Sequence, residues 1–177
     1  FGTNLNTTTS TLSAGYHVIS FKVKDNDDLW SITDSASLFI NDIPTAGIGS
    51  LSQQIAYRNN LTYYNVNFYG NVSDNDGSIT HYYWNSSKDG VLSTSGNSTV
   101  NVNTLSLGNH TITFQGRDNY TTWSPKVSTW LIIKAYPNAT IVSQSSYSIN
   151  FGDSLSFIGS GSDEDGTITA YEWISDQ

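Results

Sequence analysis

The chain has 177 residues, carries 15 Asp and Glu against 7 Lys and Arg for a net charge of −8, and contains no Cys and no Met. That balance disfavours nucleic acid and anionic membrane, both of which need basic patches, and the lack of Cys removes disulfides, thiol nucleophiles and thiolate metal sites. No apolar run approaches the ~20 residues of a membrane span, no signal peptide is visible, and a chain without Met reads as a processed or internal segment.

Charged residues make up only 12% while aromatics reach 13%, and Ser, Thr and Asn dominate, a composition common in secreted β-proteins. Nothing reads as helix, because the apolar pattern has period two with Gly and Asn-Asp punctuation. In chain order, Val18-Ile19-Ser20-Phe21-Lys22 alternates, placing Ile19 and Phe21 toward a core. Tyr64, Val66 and Phe68 alternate likewise, and Ile79 to Trp84 is a short strand after a Gly turn. Thr111-Ile112-Thr113-Phe114-Gln115 repeats the first pattern with Ile112 and Phe114 inward, Trp130 to Ile133 follows, and Leu155 and Phe157 alternate near the end. Many short strands separated by turns predict an all-β fold of antiparallel sandwiches.

The chain also repeats. Leu12 to Ser31 (LSAGYHVISFKVKDNDDLWS) and Leu105 to Ser124 (LSLGNHTITFQGRDNYTTWS) share ten of twenty positions. Phe68 to Trp84 (FYGNVSDNDGSITHYYW) and Phe157 to Trp173 (FIGSGSDEDGTITAYEW) share ten of seventeen. Self-similarity at such a period indicates an array of domain-sized modules. Residues 44–136 make one complete module, 1–43 match only its second half and 137–177 only its first half. Joined tail to head, the two halves make a second module. The expectation is a window on a longer polymer, either one covalent chain or separate copies of this chain that complete each other's domains. An arbitrary fragment is the competing reading.

Ser-Asp-x-Asp-Gly-x-Ile-x-x-Tyr-x-Trp, followed by Leu-x-x-Gly-x-His-x-Ile-x-Phe-x-x-x-Asp, resembles the PKD (polycystic kidney disease) domain in its tandem archaeal and bacterial surface versions. The resemblance covers the whole chain and implies tandem immunoglobulin-like, PKD-like antiparallel β-sandwiches. The family's frequent Trp-Asp-Phe-Gly-Asp-Gly turn is absent: Trp84 is followed by Asn85-Ser86-Ser87 and Trp173 by Ile174-Ser175-Asp176. Fibronectin type III and cadherin-like repeats therefore stay open. Trp84 and Trp173 occupy one equivalent position, expected in the core. His17 and His110 precede the strongest strand, where immunoglobulin-like sandwiches often carry a Tyr bonded back to the backbone, a part His can play through a ring nitrogen.

Asp74-Asn75-Asp76-Gly77 and Asp163-Glu164-Asp165-Gly166 each set two carboxylates two residues apart, and Asp118 and Asp25 recur after the Ile-x-Phe strand. Hard cations such as Ca2+ take six to eight oxygen ligands. The PKD resemblance implies a Ca2+ site from Asp74, Asp76, Asp118 and Asn41 or Asp42, and a second from Asp163 and Asp165, with Asp25 supplied only if the two half modules meet. The linker Lys134-Ala135-Tyr136 lacks the acidic or Asn residue of the first. The alternative is a turn held by Asx hydrogen bonds and a positive-φ Gly. The histidines lack the clustering a zinc site needs, no nucleophile-elbow sequence is present, and the segment is read as non-enzymatic. Tyr63, Tyr64, Tyr82, Tyr83, Trp123 and Trp130 could line a sugar-stacking face. Sequons at Asn6, Asn60, Asn71, Asn85, Asn97, Asn109, Asn119 and Asn138 offer N-glycan sites on an extracellular surface.

The functional expectation is a structural segment of a cell-surface stalk, sheath or filament. It would be extracellular and self-associating, with adjacent modules of one chain or head-to-tail copies as partner. An adhesion module for glycan or protein, an S-layer segment and the non-catalytic spacer of a large secreted hydrolase are the alternatives.

Overall fold

The computed structural model describes residues 2–58 and 64–176. Its twelve strands are β1 (Gly15–Phe21), β2 (Asp34–Ile40), β3 (Thr45–Leu51), β4 (Ile55–Arg58), β5 (Asn65–Ser73), β6 (Ile79–Ser86), β7 (Gly90–Ser93), β8 (Asn97–Asn101), β9 (Gly108–Asp118), β10 (Val127–Ala135), β11 (Asn138–Gln144) and β12 (Phe157–Ser162). Among the described residues the only helical piece is a 3-10 turn, Val102–Thr104. The fold is all-β and immunoglobulin-like. A five-stranded sheet, β4-β10-β9-β6-β7, faces a three-stranded sheet, β3-β5-β8. All pairings in both are antiparallel except β4, which runs parallel to β10. This divides the strands between two sheets as in immunoglobulin sandwiches.

The core between these sheets follows the alternation. Ile112 and Phe114 on β9, Val66 and Phe68 on β5, Trp84 on β6, and Leu131 and Ile133 on β10 are fully buried. Each such side chain removed from water contributes about 1.5–3 kcal/mol before entropy is counted. The Trp84 ring stacks on Phe114 at 4.3 Å and meets Phe68 at 5.2 Å. Its indole N–H donates to the Gly96 carbonyl at 3.0 Å, so the buried polar edge is satisfied. Gly70 lies beneath this pair: a Cβ there would stand 2.5 Å from the Phe114 ring and 2.8 Å from Trp84 Cζ2.

The His corner is built as expected. His110 Nε2 bonds the Ser106 carbonyl at 2.8 Å, and His17 Nε2 bonds the Ser13 carbonyl at the same distance. An Nε2–H donor leaves Nδ1 of His110 as acceptor for the Ser86 hydroxyl, 2.8 Å away.

The flanking segments contain the same local structure without an opposing sheet. β1 and β2 form one two-stranded sheet, β11 and β12 another. Lys24 bridges Trp30 as Arg117 bridges Trp123. The Asp25 N–H donates to the Leu29 carbonyl as the Asp118 N–H donates to Thr122, each at 3.0 Å. Even the non-Gly residues at positive φ correspond, Asp28 at 66° and Thr121 at 71°. Burial differs, however. Phe21 is 50% exposed and Trp173 55%, where Phe114 and Trp84 are at 0%. Ile19, Phe21 and Trp173 thus have the inward pattern but no second layer against them, which alternation alone cannot reveal.

Candidate functional site

The acidic loop after β5, the loop after β9 and the linker between β2 and β3 meet at one end of the sandwich. The Asn41 side-chain amide donates to Asp118 Oδ2 at 2.8 Å and to Thr122 Oγ1 at 3.1 Å. The Asp42 backbone N–H donates to Asp76 Oδ2 at 2.8 Å, and the Asn75 amide returns a bond to Asp42 Oδ2 at 2.9 Å. Four of the expected residues, Asn41, Asp74, Asp76 and Asp118, therefore converge, together with Asp42. Thr122 and Asn75 join them without having been singled out, since one polar residue in a loop carries no sequence signal.

The polar accounting at this site is one-sided. Asn41 Oδ1, both carboxylate oxygens of Asp74 and Asp76 Oδ1 are buried and accept no hydrogen bond from the protein. All four are acceptors. Buried acceptors without a donor are costly, and a cation facing them is the chemical complement. Burial pushes the Asp74 carboxyl above its ordinary value. The Asp76 backbone N–H, outside bonding geometry, relieves this only in part, and the negative charges of Asp76 and Asp118 add to the rise. Burial also pushes Asp118 up, but the Asn41 amide, the Thr122 and Tyr120 N–H groups and the Arg117 charge outweigh it and hold Asp118 below the ordinary value. Among the described residues no group of three or more His, Cys, Asp or Glu side chains is arranged to hold a metal ion. A cradle here would draw on the Asn41 amide oxygen and on backbone carbonyls, as oxygen-ligated hard cations do.

Gly77 is explained by contact, not by φ. It is absent from the positive-φ glycines, and a Cβ on it would meet Asn119 Oδ1 first and come to 2.6 Å of Asp74 Oδ2. The turn reading with a positive-φ Gly therefore fails for this loop. An Asx bond does form in the second acidic loop, where the Asp165 N–H donates to Asp163 Oδ1 at 3.3 Å.

That second loop reproduces the linker contact with different chemistry around it. The Ala135 N–H donates to Asp165 Oδ1 at 2.9 Å, matching Asp42 to Asp76. Here, though, Glu164 takes a two-pronged contact from Arg58 at 2.7 and 2.8 Å, and Lys134 stands where the first linker has Asn41. Asp25 serves its own hairpin, accepting from the Asp27 and Leu29 N–H groups at 2.9 Å.

The remaining expected residues are scattered. Trp123 lies under Arg117, with the guanidinium carbon 5.5 Å from the ring centroid, and meets Tyr83 edge-on. Tyr82 packs against the core, and Trp130 is exposed on β10. Of the sequons, Asn6, Asn71, Asn97, Asn109, Asn119 and Asn138 are exposed and Asn85 is half-buried. Asn60 and Tyr63 lie outside the described residues. Among the described residues no helix is long and apolar enough to cross a membrane.

No protein-family model matches the chain, and no curated protein matches it. In structure it is similar to the fibronectin(III)-like modules of CbhA from Clostridium thermocellum, with a TM-score of 0.44 and 18% identity over 72% of this chain and 66% of that one. The chain thus spans just under two thirds of the length of that structure.

Proposed function

We propose that the chain is a non-catalytic structural segment of an extracellular stalk, sheath or filament on a cell surface, built from PKD-like modules, one complete at 44–136 and a half module at each of 1–43 and 137–177. The observation that carries this reading is the repeated clamp. A backbone N–H in each linker is held by the second carboxylate of the acidic loop that follows it, Asp42 by Asp76 and Ala135 by Asp165. Fixing a linker's backbone to the next unit sets the angle between them. A load-bearing array needs that, and a spacer that only has to reach does not.

At the first joint the surplus of buried acceptors on Asp74, Asp76 and Asn41 supports Ca2+ as the stiffening ion, with Asp118, which accepts from the Asn41 amide and the Thr122 N–H, closing the site beside them. The ion would neutralise carboxylates that otherwise repel. At the second joint Asp163 and Asp165 each accept one backbone N–H group, and the charge of Arg58 is paired with Glu164 of the same loop. Exposed sequons support N-glycans on the outer surface.

The test is amide hydrogen exchange at the two linkers. The Asp42 and Ala135 amides should exchange far more slowly than exposed loop amides. In calcium, protection at Asp42 should rise further, with Ala135 unchanged. Fast exchange at both positions would remove the basis for a clamped joint.

A further inference from the structure

The two flanking halves fit each other more closely than either fits the intact module. β9 has neighbours on both edges, β10 and β6. β1, its equivalent by sequence, pairs with β2 alone. Ile79 to Ser86 is a strand because β9 and β7 flank it, whereas the matching Ile168 to Ser175 forms none. Within the described residues, neither half contains the strand edge that the other carries.

The side chains make the match specific. Beside Trp173 lies a groove of about 390 Å³ lined by Ile141, Gly159, Gly161, Ile168, Tyr171 and Trp173. Phe157 and Trp173 already hold the Phe68–Trp84 arrangement, with centroids 5.5 Å apart. Gly159 lies against Trp173 Cζ2, to which a Cβ would come within 2.9 Å, as Gly70 lies against Trp84. In the intact module Gly70 also faces Phe114. The residue equivalent to Phe114 is Phe21, half exposed on the other half. One pair settles the choice. Gly116 on β9 packs against Val72 on β5, and a Cβ at 116 would fall 2.7 Å from it. In the flanking halves the sizes are exchanged: Val23 stands at the position of Gly116 and Gly161 at the position of Val72. A small-large pair reversed across the interface keeps its volume only when the two halves meet each other.

We infer that residues 137–176 accept the β1–β2 hairpin of a second copy of this chain, with β1 laid antiparallel beside Ile168 to Ser175, Phe21 stacked on Trp173 and Val23 seated over Gly161. This rests on the modular reading above and names the partner of the open half. Completion also brings Asp25 to the position of Asp118, beside Asp163 and Asp165.

Sedimentation velocity of the 177-residue chain over a wide range of concentration tests it. The expected result is concentration-dependent head-to-tail oligomers. Phe21→Asp should leave the chain monomeric, because it buries an unpaired charge, while amide-exchange protection along β9 of the intact module stays unchanged. Gly161→Val alone should weaken association by roughly tenfold or more through overpacking against Val23. Adding Val23→Gly, which recreates the arrangement of the intact module, should restore it. A monomer at every concentration, oligomers that persist in Phe21→Asp, or a double variant no better than Gly161→Val would each overturn the inference. None of these bears on linker exchange, so the joint and the partner fail separately.

Discussion

Replacing Asp74 by Asn separates a cation cradle from a mere turn, because the two predict opposite signs. Asp74 presents two buried oxygens that accept no hydrogen bond from the protein, in a site shared with Asp76 and Asp118. Without a cation this carboxylate is a liability, so Asp74→Asn in chelator should match or exceed the wild type in stability. With calcium the order reverses. A ligand at 100 times its Kd adds about 2.7 kcal/mol to the native state. For a sandwich of this size that corresponds to a rise in Tm of roughly 10–20 °C. The variant loses a charged ligand from the cradle, and its calcium-induced rise should fall to a few degrees. Differential scanning calorimetry in calcium and in chelator reads all four states. A wild-type Tm unmoved by calcium, or a variant less stable than wild type in chelator, would refute the reasoning.

Acid titration in chelator should show two opposed phases. Asp74 titrates above its unfolded value of 3.8, so its protonation favours the native state, a gain complete at low pH and lost as pH rises through the folded value. Asp118 lies below 3.8, so its contribution is present above that value and lost as pH falls through the folded one. Stability followed by urea melts should therefore rise on mild acidification and then fall, whereas in calcium it should only fall. His110→Ala removes bonds at both ring nitrogens and leaves a cavity, and should cost about 2–4 kcal/mol in denaturant unfolding. His17→Ala, in the half-exposed equivalent, should stay within about 1 kcal/mol. When the chain is expressed through a glycosylating secretory route, glycopeptide mass spectrometry should find Asn97, Asn109 or Asn138 modified in preference to Asn85, whose amide is half-buried and donates to the Ser86 carbonyl at 3.1 Å.

Much of this architecture is written in local sequence. Period-two alternation placed Ile112, Phe114, Val66 and Phe68 in the core, and the repeated Leu-x-x-Gly-x-His marked a corner that both His110 and His17 form. The acidic loop and Asp118 were legible because their order recurs in the sequence, and Asn41 joined them only through the PKD resemblance, since Lys134 stands at its repeat position. What escaped depends on who lies opposite. β4 is four residues long and becomes a strand only by running parallel to β10. Ile168 to Ser175 repeats the sequence of a strand and forms none, because pairing, not propensity, decides it. Thr122 and Asn75 entered the site through loop geometry, and Gly77 lies against the side-chain ends of Asn119 and Asp74, a closeness invisible until the loops are placed together.

The central claim is that the first joint is held at a fixed angle by the Asn41-Asp42 linker and the acidic loop. The chain has no Cys, so spin labels at Ser37→Cys and Thr94→Cys, one exposed site on each side of the joint, report their separation without interference. Pulsed electron-electron double resonance in calcium should give one narrow distance distribution, broadening when the ion is chelated. A broad distribution in both conditions would mean a flexible tether at this joint and would contradict the account.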